Sequence, residues 1–254
     1  MLLLIVGKAF HYYSVTYCLS TSAARRELPY FHLAVVDPNP LASTVMTVAE
    51  TMKREGCDFL IVLGGGSVRD CAKATGIVFA NGGHIWDYVQ LGKGGRKPIT
   101  VMPAPVVAIT TTAGTGSEVD AGGVITNPET TEKVGVGYPN CIPKVAIVEP
   151  ELMMSAPAHL TALQGFDALF HAVEGYVIKR LNWMSDRYAL ESVRHIAAGL
   201  ARAVKNGDDI DARSHVALAN TFSGYVMTLT RLTSSMPWST PCQHSIRNCL
   251  TAPG

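Results

Sequence analysis

Apolar residues in the first half of the chain alternate between short continuous runs and stretches with helical spacing. The continuous runs predict strands over residues 2–6, 31–36, 58–63, 99–109 and 144–148. Helical spacing predicts helices over residues 42–55 and 68–80. Near-continuous apolar strands that alternate with helices are typical of a parallel sheet covered by helices on both faces.

The pattern changes near residue 152. Beyond that point no run is typical of a strand, and apolar positions recur at helical spacing over residues 160–178, 185–203 and 212–230. We therefore expect an α/β domain over residues 1–152, followed by an all-α domain over residues 153–254.

Composition narrows the class of protein. The 254 residues are 48% hydrophobic and 16% charged, which favours a folded core over disorder. The net charge is +1 without a basic run, so we expect no nucleic-acid partner. No apolar run reaches the roughly 18 residues that a membrane span needs, so we expect a soluble protein without a membrane partner. The six cysteines include no CxxC pair, which is typical of reduced thiols and predicts a cytoplasmic location.

Two polar loops follow predicted strands. Gly64, Gly65, Gly66 and Ser67 lie between a strand and a helix that contains Asp70. Glycines let a phosphate approach the backbone, and a helix N-terminus offers unpaired N–H groups to an anion. The alternative is a tight strand-to-helix turn without a ligand.

The second loop spans residues 111–118 and contains Thr111, Thr112 and Thr115 beside two glycines. The carboxyl ends of parallel strands share one edge of a sheet, where ligands bind in open α/β folds. Two such loops can converge on one dinucleotide, although a loop rich in threonine and glycine is often only a loop.

Asp167 and His171 lie four residues apart in a predicted helix, so both side chains project from one face. A carboxylate and an imidazole in this arrangement can occupy two corners of a divalent metal site. The alternative is a helix carboxylate beside a partly buried histidine, without a metal. Glu174 is seven residues from Asp167, and we interpret it as a structural partner.

The segments GGGSVRDCAK, TTAGTGSE and GFDALFHAVEGY, in this order, resemble the iron-containing (group III) alcohol dehydrogenase family. The resemblance runs from about residue 34 to residue 252 and includes the PNP at Pro38–Pro40. It implies an α/β N-terminal dinucleotide-binding domain with a parallel sheet, followed by an all-α C-terminal domain. This is a dehydroquinate synthase-like architecture, expected here to be incomplete, truncated at the C-terminus and shortened at the N-terminus.

The resemblance also implies a nicotinamide cofactor. Gly65, Gly66 and Ser67 would hold the pyrophosphate, with Gly64 and Asp70 in the same segment. The rest of the cofactor would lie along Thr111, Thr112, Thr115, Lys133 and Leu152. Asp37 precedes the PNP segment, where family members often carry an acidic residue that binds the adenosine ribose. This favours NAD, with NADP as the alternative.

The family binds its metal through one Asp and three His. Asp167, His171 and His244 match three of these ligands, and the fourth would lie beyond Gly254. One carboxylate and two imidazoles suit Fe(II), with Zn(II) as the alternative. Asn248 occupies the position of a further family histidine near the nicotinamide, and an amide cannot relay a proton as imidazole does.

The implied function is metal-dependent hydride transfer between an alcohol or aldehyde and a nicotinamide, in a homodimer or larger homo-oligomer. The first alternative is a truncated, catalytically impaired homologue that binds only the nucleotide, which Asn248 and the missing fourth ligand favour. The second is the chemistry of the related dehydroquinate synthase or glycerol-phosphate dehydrogenase groups. That chemistry requires phosphate-binding basic residues in the helical half, and few are present there.

Overall fold

A computed structural model describes residues 1–7, 25, 30–178 and 182–231. Contacts divide the chain into two compact units. The first, here called the sheet unit, contains Met1–Thr110 and Ala121–Ile147. The second, the helical unit, contains Thr111–Asp120 and the chain from Val148 onward. The domain boundary near residue 152 stays a prediction.

The main sheet of five strands has the order β2-β1-β3-β4-β7, and β5 and β6 form a separate antiparallel pair. In the main sheet β1 runs parallel to β2 and β3, and β3 runs parallel to β4. The strands, in chain order, are β1 (Leu2–Gly7), β2 (Tyr30–Val36), β3 (Phe59–Gly64), β4 (Val106–Thr110), β5 (Gly122–Asn127), β6 (Glu132–Gly137) and β7 (Val145–Val148).

Two helices pack in the sheet unit, α1 (Ala42–Arg54) and α2 (Gly66–Asn81). One face of α1 is buried, whereas every residue of α2 from Val68 to Val78 except the half-buried Asp70 is buried. Polar side chains in so enclosed a helix need partners. Lys73 accordingly donates to the carbonyl of Gly122 at 2.7 Å.

The helical unit contains α3 (Ala158–Val177), α4 (Trp183–Lys205) and α5 (Ile210–Thr230). Asn182 and Asp209 cap the N-termini of α4 and α5 by accepting backbone N–H bonds. The buried Arg213 joins α5 to the start of α3 by donating to the Thr161 hydroxyl at 2.7 Å and the Ala156 carbonyl at 2.9 Å. Within the described ranges, none of the helices is long and apolar enough to cross a membrane.

The predicted fold class is confirmed, because a parallel sheet with helices precedes a part whose described residues are helical. The strand prediction for residues 99–109 is wrong in its first part, since β4 begins only at Val106. Pro103 and Pro105 lack the N–H that a sheet ladder needs. The N–H groups of Thr100 and Val101 instead donate to the Asn81 side chain at 3.0 and 2.8 Å. The hairpin of β5 and β6 was not predicted.

Candidate functional site

The first glycine loop forms a tight passage from β3 into α2. Gly64 ends the strand with φ 157°, and a Cβ there would lie 2.6 Å from a methyl group of Val68. Gly65 is the N-cap and Gly66 the first helical residue, and no side chain caps this end of α2. The Val68 N–H donates to the Gly65 carbonyl at 3.2 Å, whereas the N–H groups of Gly66 and Ser67 precede the first bond of the helix. This arrangement favours an anion at the helix start.

A chain of hydrogen bonds joins two predicted cofactor residues at the start of α2. The Asn39 N–H donates to Ser67 Oγ at 3.2 Å, and Lys133 Nζ donates to Asn39 Oδ1 at 2.8 Å. Asn39 has φ 59°, a left-handed conformation that asparagine tolerates better than most residues. The structure thus brings Ser67 and Lys133 together through Asn39, which was not predicted as a site residue. Its position inside the PNP segment was the only signal. Asp37, two residues earlier, is exposed.

Asp70 has a structural partner. The N–H of Val124 on β5 donates to Asp70 Oδ2 at 2.9 Å. Gly123 permits this approach, because a Cβ there would lie 3.0 Å from the Asp70 Cα. The carboxylate of Asp70, predicted to contact the cofactor, therefore holds the hairpin against α2.

A buried guanidinium joins the ends of β3 and β4. Gly64 and Thr110 are register partners at the end of these parallel strands. Arg69 is fully buried, and its Nη1 donates to the Gly64 carbonyl at 3.1 Å and to the Thr110 hydroxyl. The two strand ends that precede the glycine-bearing loops are thereby fixed to each other.

The second loop belongs to the helical unit. Thr111 is fully buried, and its hydroxyl has no hydrogen-bond partner within the part of the chain that the structure describes. Thr112 is also buried, whereas Thr115 is half-buried and accepts the Ser117 N–H at 3.3 Å. Leu152 is half-buried in the same unit, in the short helical turn Pro150–Met153.

The predicted metal pair lies on one face of α3. Asp167 Oδ1 and His171 Nε2 are 3.8 Å apart, and each side chain is 13% exposed. This separation is too long for a hydrogen bond. It is close to the distance of about 3.4 Å between two ligand atoms that lie about 2.1 Å from one tetrahedral ion. His171 Nδ1 is buried and has no hydrogen-bond partner among the described residues. The donor types and spacing therefore fit a divalent cation.

Glu174 lies one turn beyond His171. Burial raises the pKa of Glu174, the charge of His171 opposes this shift, and the charge of Asp167 adds to it. In the described ranges, no three His, Cys, Asp or Glu side chains lie close enough to hold a metal together. The described part of α3 thus supplies two donors. The predicted third ligand, His244, and Asn248 lie outside the described residues.

A glycine-rich helix start behind a parallel strand is the arrangement that α/β nucleotide-binding folds use for phosphate groups. The sequence profile of the "Iron-containing alcohol dehydrogenase" family matches residues 2–150. That of the "Fe-containing alcohol dehydrogenase family, C-terminal" matches residues 161–237. The chain therefore belongs to the iron-containing alcohol dehydrogenase family.

Individual relatives agree with this assignment. The chain is 46% identical over 187 residues to the NAD-dependent methanol dehydrogenase of Bacillus methanolicus, covering 74% of this chain and 48% of that protein. It is 40% identical to the 1,3-propanediol dehydrogenase of Klebsiella pneumoniae, with 74% and 48% covered. A solved alcohol dehydrogenase from a halo-thermophilic archaeon of a Red Sea brine pool superposes with a TM-score of 0.83 at 35% identity, covering 90% of this chain and 58% of that one. The chain spans about half the length of the curated relatives it matches.

Proposed function

We propose that this chain binds NAD and a divalent metal as part of an oxidoreductase that transfers a hydride between an alcohol or aldehyde and the nicotinamide. The observation that carries the proposal is the start of α2. A glycine N-cap leaves the first-turn N–H groups without a side-chain partner, and Lys133 lies two hydrogen bonds away through Asn39. A local positive charge beside free N–H groups suits a pyrophosphate.

The remaining cofactor contacts follow from the same proposal. Ser67 and Lys133 bind the pyrophosphate side, and Thr111, Thr112, Thr115 and Leu152 contribute further along the cofactor. Asp37 is exposed, as a carboxylate that accepts ribose hydroxyls must be. A carboxylate there repels the 2′-phosphate of NADP, so NAD is the proposed cofactor.

The metal side of the proposal rests on α3. Asp167 and His171 would hold the cation through a carboxylate oxygen and an imidazole nitrogen, a donor pair suited to Fe(II) and also to Zn(II). When bound, the cation supplies Lewis acidity towards an alcohol oxygen, and the nicotinamide supplies a hydride acceptor. His244 is the proposed third ligand. At Asn248 an amide can hold a hydrogen bond but cannot carry a proton between groups.

The proposed substrate class is based on the names of the relatives. Their names specify methanol and 1,3-propanediol. We propose a short primary alcohol or diol, oxidised to the aldehyde, as the substrate class. A homodimer or larger homo-oligomer and a cytoplasmic location stay predictions.

Titration of the protein with NAD tests the cofactor proposal. Gly66→Asp places a carboxylate at the first turn of α2, so we expect the wild type to bind saturably and the variant to lose at least about 90% of its affinity, through like-charge repulsion of the pyrophosphate. Gly56→Asp is the matched control. It adds the same charge in the sheet unit at a glycine with open space around it. The φ of 64° there is one that aspartate tolerates better than most residues, and NAD binding per folded molecule should be unchanged. Equal binding by the wild type and Gly66→Asp would refute the proposed phosphate site.

A second candidate function is nucleotide binding without catalysis. The observation that favours it is Asn248, because an amide at the position of a family histidine cannot relay a proton. A nicotinamide-linked oxidation screen over short primary alcohols and diols, with Fe(II) added, separates the two candidates. NADH formation supports the dehydrogenase, whereas NAD binding without turnover supports the binding protein.

A further inference from the structure

The loop at residues 111–118 is held by a buried asparagine on α5. The Gly116 N–H donates to Asn220 Oδ1 at 2.7 Å, and Asn220 Nδ2 donates to Glu118 Oε1 at 2.6 Å. Both Asn220 and Glu118 are fully buried. One amide group therefore binds the loop at two points, as an acceptor for its backbone and as a donor to its carboxylate.

Glycines make this approach possible. Gly116 has φ 60°, a left-handed conformation that few other residues adopt. A Cβ at Gly116 would lie 2.5 Å from the Gly224 Cα, and a Cβ at Gly224 would lie 2.6 Å from the Gly116 carbonyl. The loop backbone and α5 are thus in direct contact beside the Asn220 side chain.

Further contacts fix both ends of the loop. Thr228 on α5 donates to the Val119 carbonyl at 3.0 Å. On the other side, the Ala113 N–H donates to Gln164 Oε1 at 3.3 Å, and Gln164 lies three residues before Asp167 on α3. The loop is consequently tied to the helix that carries the predicted metal pair and to its neighbour α5.

We infer that Asn220 is a positioning residue for the cofactor loop, holding the backbone conformation of the segment that carries Thr111, Thr112 and Thr115. This inference rests on the proposed function, which assigns those threonines to the cofactor. A side-chain amide has its acceptor and its donor on two separate atoms, so it binds the Gly116 N–H and the Glu118 carboxylate at the same time. Aspartate retains the acceptor for Gly116 but faces the Glu118 carboxylate with a second negative oxygen.

The test is calorimetric titration of NAD into the whole chain, with the dissociation constant and the stoichiometry read separately. We expect Asn220→Asp to raise the Kd about tenfold or more at unchanged stoichiometry, because two buried carboxylates lose a hydrogen bond and repel each other. A purely structural role would instead lower the stoichiometry, since fewer molecules would be folded, and leave the Kd of the folded fraction unchanged.

Exchanging the amide and the carboxylate between positions 220 and 118 should restore the NAD affinity that Asn220→Asp loses. In the double variant Asn220→Asp with Glu118→Gln, the amide and the carboxylate change places and the hydrogen bond re-forms in the opposite sense. We expect its Kd to return to within about threefold of the wild type. If Asn220→Asp does not fold, Asn220→Ala replaces it, because this variant removes both hydrogen bonds without adding a charge.

Thr221→Val is the matched control. Thr221 donates to the same Glu118 oxygen at 3.2 Å but makes no bond to Gly116. We expect its Kd to stay within about threefold of the wild type, since only the weaker of two donors is lost. Wild-type Kd in Asn220→Asp and Asn220→Ala would overturn the positioning role while leaving the NAD site intact. Failure of the wild type itself to bind NAD would overturn the proposed function and this inference together, and the two results are therefore distinguishable.

Discussion

At the scale of single residues, the helical unit holds two half-buried histidines in contact with each other. His195 on α4 and His215 on α5 face each other with their Nδ1 atoms 2.7 Å apart. One nitrogen must donate and the other must accept, so the pair cannot carry two protons at these positions. Burial lowers the pKa of His195, the charge of His215 lowers it further, and Glu191 opposes both.

Because of this pair, we expect the free energy of unfolding to depend on pH. The pKa of His195 is lowered in the folded chain, so its contribution is complete above the ordinary histidine pKa of about 6.5 and is lost as the pH falls towards the folded value. We expect the free energy of unfolding to decrease below about pH 6.5, and to decrease less steeply in His195→Gln. Chemical denaturation between about pH 5 and 8 measures this slope.

His159→Gln serves as the control for that experiment. His159 is exposed on α3, so its removal takes away a histidine without disturbing the pair. It should leave the wild-type slope unchanged. Identical slopes in the wild type and His195→Gln would contradict the prediction.

At the scale of secondary-structure elements, the three helices approach each other at glycines. A Cβ at Gly165 would overlap Leu200 on α4, one at Gly175 would overlap Val226 on α5, and one at Gly199 would lie 2.5 Å from the His215 Cβ. The contacts of α5 at Gly175 and Gly199 therefore leave no room for a methyl group, whereas the flexible Leu200 side chain at Gly165 can move aside. At these positions the helix backbones pack closely because a glycine has no side chain to separate them.

Gly175→Ala tests this view of the packing. Alanine improves helix propensity by about 1 kcal/mol, but its methyl group would overlap the stiff, β-branched side chain of Val226. We expect a net loss of about 1 to 3 kcal/mol in the free energy of unfolding, measured by chemical denaturation. Adding Val226→Ala should recover part of the loss, because it removes the overlapping atoms. A gain in stability in Gly175→Ala alone would show that the helices adjust freely.

Most of these elements could be predicted because their apolar spacing is regular. The helix predicted over residues 42–55 is observed as Ala42–Arg54, and that over 68–80 as Gly66–Asn81. The hairpin escaped prediction because four of its twelve residues are glycine, which weakens any strand signal. Pro103 and Pro105 lie within the apolar run 99–109, and they indicated that this run would not form one continuous strand.

The candidate site was predictable only where its residues are close in sequence. Asp167 and His171 could be paired because one helical turn separates them. Asn220 contacts Gly116 and Glu118, which are 104 and 102 positions away in the sequence. The spacing of apolar residues along the chain gives no information about contacts between residues so far apart. The role of Asn39 could not be predicted for the same reason, since its partner Lys133 is 94 positions away in the sequence.

At the scale of the whole molecule, the helical unit contains Asp167 and His171, the two described residues that are predicted to bind the metal. We expect the purified protein to retain a divalent cation after anaerobic loading with Fe(II) or Zn(II), and His171→Ala to lose most of it, because the variant removes one of two donors on α3. Elemental analysis by mass spectrometry measures the bound metal. His159→Ala, on the same helix but exposed, should retain it. A wild type that remains free of metal after loading would contradict the catalytic proposal.

The backbone crosses between the two units three times, at Thr110–Thr111, Asp120–Ala121 and Ile147–Val148. Excision of the helices as a single continuous fragment from Val148 would leave Thr111–Asp120 behind. Asn220 and Gln164 would then face water where they now bind the loop, and Gly224 would lose its contact with Gly116. A protein engineer who wants the helices alone must transplant this ten-residue insert with them, for example by circular permutation, or accept a fragment that lacks part of its own interior.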